Sequence, residues 1–469
     1  MTSYSMVSRF IPDIRPLIAE VSRQMSVVRI VTQSLIYNCN RPACRQTGLT
    51  SEKGGFFVKK VAIIGGGAAG LMAAVGVLEK GAIPVIFERN KKVGLKLLIT
   101  GKGRCNLTNN LEIPDFVENF PGNGPFLYSS LYNFSYQHLL DFFAQLNVPT
   151  KIERGGRFFP KSDKAADVVD ALTNYIIKKG ANIKYNTRVE QLWIEEGKLL
   201  GVKTADNFYK FTSVIIATGG LSYPKTGSTG DGYKLAKEAG HTIIDPFPSL
   251  VPLKTKEVWV QQTQGLTLKN VQVNAFWHEK ELGSEFGEML FTHFGVSGPI
   301  ILSLSRVIVQ TLKIKGGPIK LKINLKPALD FSQLDARLQR VFAEFSRKQY
   351  KNALDTLFPK SLIEPMISLS KIDPNKPAHQ ISKEERTGFA KLIQNLELTV
   401  TGFNSYDEAI VTAGGINVKE VDPSTMESKI LQGLFFAGEV LDIDGYTGGY
   451  NLQAAFSTGY LAGQKSINS

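Results

Sequence analysis

Three closely spaced glycines, Gly65, Gly67 and Gly70, follow an apolar run at residues 61–64 and precede a helical pattern at residues 71–79. In a strand–turn–helix unit, the first glycine permits the tight turn, the second lets the backbone approach a pyrophosphate, and the third allows close helix–strand packing. The free N–H groups and the dipole at the helix start favour a phosphate there. The spacing therefore predicts a dinucleotide-binding site.

An acid, Glu88, ends the second apolar run at residues 84–87 and lies 18 residues past Gly70. An acidic residue about 20 positions after the last glycine takes the ribose hydroxyls of a bound dinucleotide. The two apolar runs and the helix between them make one βαβ unit. This context favours dinucleotide binding over a merely structural glycine-rich turn.

A cationic, glycine-rich loop follows at residues 93–109 and contains Lys96, Lys102 and Arg104. Directly after the ribose-binding acid, such a loop is expected to wrap the dinucleotide. Cys105 lies inside it, and the positive charges of Lys102 and Arg104 are expected to lower its thiol pKa. Cys105 is therefore a candidate catalytic proton donor. The alternative is a small packing residue, and the sequence leaves both open.

Residues 214–220 form another buried strand pattern that ends in Ala217, Thr218 and Gly219. Small residues are expected where a parallel strand must stop short of a cofactor. Further along, Asp231 precedes a helical pattern at residues 233–239. It is expected to cap that helix, and it either also lies near the cofactor or serves as a cap alone.

Near the end of the chain, a strand ends at Gly438 and Glu439, and a glycine loop at residues 445–449 leads into a helix beginning near Asn451. The acid can take ribityl or ribose hydroxyls, and the helix start can stabilise negative charge at the N1–O2 edge of a flavin. This is the pattern that an extended FAD requires. We therefore expect both ends of the chain to build one cofactor domain, with residues 250–400 inserted.

The middle of the chain divides into strand-like and helical stretches. Strands are predicted at residues 183–185, 189–194, 199–204 and 208–211 and, in a β-rich insertion, at 271–276, 307–314 and 319–325. Residues 329–396 are predicted to be helical and are rich in lysine and arginine, with proline breaks.

Composition limits the class of protein. The 469 residues predict two or three domains, and the 43% hydrophobic and 21% charged content is that of a soluble globular protein. No apolar run approaches the roughly 20 residues of a transmembrane helix. Three cysteines give neither a disulfide framework nor metal-ligand spacing, so a reducing, cytoplasmic location and no metal are expected.

The net charge of +13 could favour an anionic partner such as RNA. Six arginines against two acids in the first fifty residues leave +9 on the remainder. A basic solvated surface around an anionic cofactor is the preferred interpretation, because no compact basic run marks a groove.

Residues 1–57 are arginine- and serine-rich and acid-poor. This composition is typical of a transit peptide, which would make the location organellar. The segment could equally be a disordered extension or sequence upstream of a misassigned start.

Seven motifs in this order, GGGAAGLMAA, KLLITGKGRCNLTN, ATGG, TGDGY, FTHFGVSGP, TAGGI and FAGEVLDIDGYTGGYNLQAAFSTG, resemble those of the YhiN/BaiN-type NAD(P)/FAD-dependent oxidoreductases, also described as aminoacetone-oxidase-like flavoproteins. The resemblance covers about residues 58–466. It implies an α/β fold: a glutathione-reductase-like, Rossmann-type FAD-binding domain with an inserted β-barrel-like domain and a small helical domain. It also implies bound FAD.

The domain boundaries expected from these patterns are 1–57 for an N-terminal extension, 58–247 and 401–469 for the two parts of the FAD domain, 248–328 for the β-rich insertion and 329–400 for the helical one. The candidate cofactor-binding residues come from the motifs and strand ends above. They are Gly65, Gly67, Ala68, Ala69, Gly70, Glu88, Arg89, Lys96, Gly103, Arg104, Asn106, Val189, Ala217, Thr218, Gly219, Asp231, Gly438, Glu439, Gly448, Gly449, Tyr450 and Asn451.

Three functions follow, in order of preference. The first is an FAD-dependent oxidoreductase that uses NAD(P)H-derived electrons on a small molecule. The second is a flavin-dependent RNA-modifying enzyme that reduces a uridine of ribosomal RNA to dihydrouridine. The third is a non-catalytic flavin-binding module. Because no second glycine-rich unit is visible for NAD(P)H, this candidate reductant would visit the flavin transiently. The sequence leaves the substrate and the oligomeric state open.

Overall fold

The computed structural model describes residues 59–468. The extension predicted for residues 1–57 lies outside this range. The strands, in chain order, are β1 Lys60–Ile64, β2 Ile83–Phe87, β3 Thr108–Asn109, β4 Thr150–Glu153, β5 Arg157–Pro160, β6 Asn182–Lys184, β7 Val189–Glu195, β8 Lys198–Thr204, β9 Phe208–Lys210, β10 Ser213–Ile216, β11 Ile243–Ser249, β12 Leu253–Thr255, β13 Thr267–Trp277, β14 Lys280–Phe291, β15 Gly295–Ser297, β16 Ile319–Asn324, β17 Leu396–Phe403, β18 Val411–Ile416 and β19 Leu434–Phe436.

The α-helices alternate with these strands in the cofactor domain and cluster after the barrel strands. In chain order they are α1 Ala68–Glu79, α2 Leu95–Ile99, α3 Ile113–Val117, α4 Tyr128–Asn133, α5 Tyr136–Gln145, α6 Ala165–Lys178, α7 Asp231–Glu238, α8 Pro299–Lys315, α9 Phe331–Glu344, α10 Tyr350–Ala353, α11 Lys360–Ser370, α12 Lys383–Gln394 and α13 Tyr450–Lys465. Within residues 59–468, no helix combines the length and apolarity needed to cross a bilayer.

A five-stranded parallel sheet, in the order β19-β10-β1-β2-β6, forms the centre of the cofactor domain. Its inner strands read as continuous apolar runs because helices cover both faces of a parallel sheet. Val61, Ile63 and Ile215, for example, are at most 1% exposed. Strands β1 and β19, from opposite ends of residues 59–468, both belong to this sheet, so both ends of the described chain contribute to one Rossmann-type sheet.

Helices α1 and α13 pack against each other through glycines. A Cβ added at Gly76 would lie 2.4 Å from the carbonyl oxygen of Tyr460, and one at Gly463 would lie 2.1 Å from that of Ala73. Such contacts leave no room for a side chain, so the two backbones approach closely. The close packing fixes the N-terminal ends of both helices relative to each other.

A closed six-stranded antiparallel barrel, β12-β15-β14-β13-β16-β17, confirms the predicted barrel-like insertion. Alternate residues such as Val273, Leu321 and Leu398 are fully buried inside it. The last strand, β17, follows the helices α9–α12, so the helical segment is inserted within the barrel. The predicted boundary at residue 400 falls inside this strand.

The strand predicted at residues 307–314 is wrong, because these residues belong to helix α8. The β-branched run of Val307, Ile308 and Val309 favours a strand locally. The burial pattern is instead helical: Ile300, Leu304 and Ile308 recur at intervals of four and pack in the core that the barrel contributes. Tertiary packing overrides the local propensity.

Most of the excess positive charge lies in the barrel and its inserted helices. Residues 253–403 contain 21 lysines and arginines against 14 acids, a net +7. This is most of the +9 that remains after the first fifty residues. The cofactor domain is therefore nearly neutral.

Candidate functional site

The glycine-rich turn between β1 and α1 uses its glycines for different reasons. Gly65 has φ +104°, and a Cβ there would lie 2.6 Å from the carbonyl oxygen of Ala217. A Cβ at Gly70 would lie 1.9 Å from the carbonyl oxygen of Gly65. At Gly67, by contrast, φ is −82° and an added Cβ would meet no atom within 4 Å. Gly65 and Gly70 are required by packing, whereas Gly67 leaves space open.

That space belongs to a solvent-accessible cavity of about 330 Å³ between the glycine turn and the start of α13. Most of the predicted cofactor-binding residues line it. They are Gly65, Gly67, Ala68, Ala69, Glu88, Arg89, Lys96, Asn106, Val189, Ala217, Thr218, Gly219, Asp231, Gly438, Glu439, Gly448, Gly449 and Asn451. The N-terminal ends of α1 and α13 both contribute, which suits a ligand with one anionic group at each end.

Glu88 is buried at the end of β2, where its carboxylate fixes the turn. Its Oε2 accepts a hydrogen bond from the backbone N–H of Gly66 at 2.9 Å, and its Oε1 accepts bonds from the backbone and side-chain nitrogens of Asn90, each at 2.8 Å. A carboxylate offers about four acceptor positions. Glu88 can therefore hold the turn and still accept a hydrogen bond from a ribose hydroxyl in the cavity.

Lys96 and Glu439 bring opposite charges together across the cavity wall. The Lys96 Nζ lies 2.5 Å from Oε2 of Glu439, while Oε1 of Glu439 accepts a bond from the backbone N–H of Thr412 at 2.8 Å. Both side chains are about one fifth exposed. Glu439 is thus held in place by a cation and a backbone donor before any ligand arrives.

Asp231 does not cap helix α7, since Gly230 occupies the N-cap position. Its carboxylate instead receives the guanidinium of Arg188, at 2.8 and 2.7 Å, and that of Arg89, at 3.2 Å. Burial opposes ionisation, but the two guanidiniums outweigh it and lower the pKa of Asp231. The Asp231 carboxylate therefore binds the segment after β2 and the segment before β7 at the edge of the cavity.

Four predicted cofactor-binding residues lie outside the cavity wall: Gly70, Gly103, Arg104 and Tyr450. Arg104 points to an exposed cluster, where Asp163 accepts from its Nε at 2.8 Å and Glu153 pairs with its Nη2. The ring of Tyr450 packs 5.0 Å from that of Phe116. The side chains of Arg104 and Tyr450 therefore contact neighbouring segments and do not face the cavity.

Cys105 is fully buried and does not line the cavity. The expected lowering of its thiol pKa is wrong, because burial raises that pKa to about 12. Arg104 cannot compensate, since its charge is already directed at Glu153 and Asp163. The geometry favours the packing role, while the catalytic role stays an untested prediction.

We expect Cys105 to resist alkylation by iodoacetamide in the native protein at pH 7 to 9. A thiol with a pKa of about 12 carries almost no thiolate in this range, and the reactive form is the thiolate. Peptide mass spectrometry would measure labelling at residue 105, with the urea-unfolded protein as the positive control. Rapid native labelling that rises from pH 7 to 9 would contradict this buried environment.

The start of α13 holds a tight turn against the cavity. A Cβ at Gly449 would lie 2.5 Å from the carbonyl oxygen of Thr108, and φ at Gly449 is +102°. The side chain of Asn451 reaches back, accepting from the N–H of Gly445 and donating to its carbonyl oxygen, both at 2.8 Å. The loop between Gly445 and Gly449 is therefore clamped at both ends.

The clamped loop places Tyr446 on the cavity wall, a residue that the sequence analysis did not single out. Its phenol is half-buried and has no hydrogen-bond partner within the described residues. Burial raises its pKa, and so do Glu285 and Asp444, while Arg306 lowers it. Its position in the clamped glycine loop was the signal available in the sequence.

The cavity wall that includes Tyr446 is mostly apolar. Its apolar lining side chains include Leu250, Ile410, Val411, Ile443 and Leu452, and Thr447, the residue after Tyr446, also lines it. An apolar wall with few polar groups is the usual composition of a site for an organic substrate.

The residues around the cavity fit a flavin dinucleotide. Gly67 leaves open space where the pyrophosphate approaches the backbone. The side-chain oxygen of Asn106 is buried on the cavity wall with no hydrogen-bond partner within residues 59–468. A buried acceptor without a partner is costly, so this oxygen suits a ligand donor.

Comparisons with known proteins find relatives that match most of the length of this chain. The profile of a family described as "HI0933-like protein Rossmann domain" matches residues 59–465. A 3-dehydro-bile acid delta(4,6)-reductase from Clostridium scindens is 35% identical over 417 residues, covering 87% of this chain and 98% of the relative. A ribosomal RNA dihydrouridine synthase from Haemophilus influenzae is 31% identical over 403 residues, covering 85% and 96%. Among solved structures, a 3-ketosteroid delta1-dehydrogenase from Sterolibacterium denitrificans has a TM-score of 0.49 at 11% identity, covering 87% of this chain and 99% of that one.

Proposed function

The chain belongs to the HI0933-like Rossmann family and is an FAD-dependent oxidoreductase, and on this premise we propose that it reduces a carbon–carbon double bond conjugated to a carbonyl group. The names of both full-length relatives describe such a reduction, one in a 3-oxo steroid acid and the other in a uracil ring. The observation that carries the proposal is the apolar cavity wall with the unpartnered phenol of Tyr446. An apolar wall accepts the hydrocarbon part of such a substrate, and the phenol can supply a proton.

Reduction of a conjugated double bond adds a hydride to the carbon β to the carbonyl and a proton to the α carbon. The glycine turn at Gly67 and the start of α13 would hold FAD, which in its reduced form would supply the hydride. We assign the proton to Tyr446: its O–H bond breaks as the α-carbon C–H bond forms, and the phenolate then regains a proton from water. Because its pKa is raised, Tyr446 holds this proton at neutral pH.

Three other groups of the chain prepare the site. Asn451 holds the loop that carries Tyr446, and the start of α13 directs its N–H groups and dipole at the cavity. This dipole favours negative charge that develops on the cofactor. The Lys96–Glu439 pair keeps two charges neutralised next to the reacting groups.

A second candidate substrate is a pyrimidine base of structured RNA. The +7 net charge of the barrel and its helices supports it, because basic surfaces attract nucleic acid. The apolar cavity wall and the higher identity of the bile acid reductase favour a small molecule. Both candidates share the conjugated double bond, so one experiment can separate them.

That experiment supplies reduced enzyme with different acceptors. We expect the yellow holoenzyme to be bleached by NADH or NADPH under argon and to regain colour when a 4-en-3-one steroid is added, with the product gaining two hydrogens. Recolouring by a uridine-containing ribosomal RNA fragment instead would select the second candidate. Recolouring by oxygen alone, with neither acceptor reduced, would refute the proposed reaction.

A further inference from the structure

Helix α8 packs one face in the core of the barrel and another against strands β11 and β18. Ser305, Val309 and Lys313 recur at intervals of four residues and therefore share this second face. The Oγ of Ser305 accepts a hydrogen bond from the backbone N–H of Val251 at 3.0 Å, and the Nζ of Lys313 lies 2.6 Å from Oδ2 of Asp245. Val309 packs in a small apolar cluster with residues of β11 and β18. The barrel is thus attached to these two strands through α8.

Arg306, next to Ser305 on this helix, reaches the segment that carries Tyr446. Its Nε lies 2.8 Å from Oδ2 of Asp444 and its Nη2 lies 3.1 Å from Oδ1, so the guanidinium binds both carboxylate oxygens. The Oγ of Ser249 donates a further bond to Oδ2 at 3.0 Å. The Asp444 side chain is only 2% exposed and that of Arg306 is 18% exposed. A bidentate pair in such a place fixes direction as well as distance.

The Asp444 carboxylate depends on Arg306 for its charge. Burial raises the pKa of Asp444, and so does Glu439, while Arg306 and Ser249 lower it. Without the guanidinium, the buried carboxyl group would be favoured to take up a proton and would lose its charge-assisted hydrogen bonds. Removing Arg306 is therefore expected to release the segment around Asp444.

Asp444 lies two residues before Tyr446, directly ahead of the glycine loop at residues 445–449. The backbone N–H of Tyr446 donates to the carbonyl oxygen of Asn119 at 2.9 Å. The Nη2 of Arg306 lies 3.5 Å from a Cβ placed at Gly122, so the guanidinium adjoins the same turn. Arg306 also lowers the pKa of the Tyr446 phenol, and Asp444 raises it. The ion pair and the phenol are therefore neighbours.

We propose that Arg306 is a positioning residue: through Asp444 it fixes the glycine loop to helix α8 of the barrel and so sets the direction of the Tyr446 phenol. This inference rests on the proposed role of Tyr446 as proton donor. Residues 253–403, all of which the structure describes, do not line the cavity. The barrel would therefore influence proton transfer through this contact, without touching the substrate there.

Hydrogen–deuterium exchange of the full-length holoenzyme tests the attachment of the loop without any catalytic step. In Arg306→Gln, the amides of residues 441–449 are expected to exchange roughly 10- to 100-fold faster, the factor for loss of a hydrogen bond to a charged group. Lys313→Gln is the matched control, since this lysine of α8 also pairs with β11 but its partner Asp245 is 83% exposed. It is expected to leave exchange at residues 441–449 unchanged. Arg306→Lys keeps the charge without the bidentate geometry and should lie between wild type and Arg306→Gln.

Stopped-flow absorbance of the two half-reactions tests the link to Tyr446. Arg306→Gln is expected to slow substrate reduction on the order of 100-fold, the loss that a misplacement of about 1 Å can cause. Flavin reduction by NAD(P)H and FAD content should stay at the wild-type level. In a Tyr446→Phe background, Arg306→Gln should cause no further slowing, because the group that it positions is already absent.

Two results would overturn the proposal: unchanged exchange at residues 441–449 in Arg306→Gln, or further slowing by this substitution in the Tyr446→Phe background. If Arg306→Gln does not fold, the same two criteria apply to Arg306→Lys. Unchanged substrate reduction in Tyr446→Phe alone would instead refute the proton donor proposed above. The exchange measurement would then still decide whether Arg306 holds the loop.

Discussion

Gly67→Val is expected to yield a folded protein that purifies without its yellow colour. Gly67 has an ordinary negative φ, and an added Cβ would meet nothing within 4 Å, so the substitution introduces no clash in the protein itself. The new methyl groups would instead occupy the cavity where the pyrophosphate approaches the turn. We expect FAD affinity to fall by about 100-fold or more, equivalent to about 2.8 kcal/mol.

The control is Gly388→Val, at a helical position that also has no atom within 4 Å of an added Cβ but lies in α12, outside the cavity. Circular dichroism would establish that both variants fold, and FAD released on denaturation would measure occupancy. Full FAD occupancy in Gly67→Val would show that the pyrophosphate does not lie at this turn. Loss of FAD in both variants would show that the effect does not depend on the position of Gly67 at the glycine turn.

Tyr446→Phe is expected to slow substrate reduction by roughly 10²–10⁴-fold, the range for loss of a general acid. Reduction of the flavin by NAD(P)H should continue at the wild-type rate, because that step takes no proton from the phenol. Stopped-flow absorbance measures the two half-reactions separately. Tyr132→Phe, on the exposed face of α4, is the control and should leave both unchanged.

The pH dependence follows from the sign of the pKa shift. Tyr446 is active as the protonated phenol, and its pKa is raised by burial and by Glu285 and Asp444, with Arg306 opposing. Substrate reduction should therefore persist through mildly alkaline pH and decline only above the ordinary tyrosine pKa of about 10. A solvent deuterium isotope effect on this half-reaction should be present in the wild type and altered in the variant. Equal rates for Tyr446→Phe and wild type would assign the proton to another donor.

The sequence was most informative where local geometry and ligand chemistry impose the same residues. Gly65 and Gly70 could be predicted because a tight turn and a close helix each restrict the choice of residue, whereas the ribose-binding role of Glu88 stays a prediction. Sequence patterns were less informative in the barrel. Strand β14 was not predicted, since Gly283 and Gly287 interrupt its apolar pattern and only Met289 and Phe291 are fully buried.

Ion pairs between side chains that are distant in sequence could not be predicted. Arg104 is cationic and adjoins the cofactor loop, but its partners Glu153 and Asp163 lie about fifty and sixty residues further along the chain. The depth at which Cys105 is buried likewise depends on the packing of distant segments. The sequence shows which charged side chains a loop carries, but only the fold shows which residues they contact.

The division of the cofactor cavity between the two ends of the chain has a thermodynamic consequence. Gly67 and Gly449 both line one cavity, although the whole barrel and its helices lie between them in sequence. FAD would therefore act as a non-covalent cross-link that closes a very long loop, and it stabilises the folded state in proportion to the logarithm of its free concentration relative to its dissociation constant. At a hundredfold excess over that constant, the contribution is about 2.7 kcal/mol. The free concentration of FAD would thus determine how much the cofactor adds to the free energy of unfolding of the domain that the two ends of the chain form.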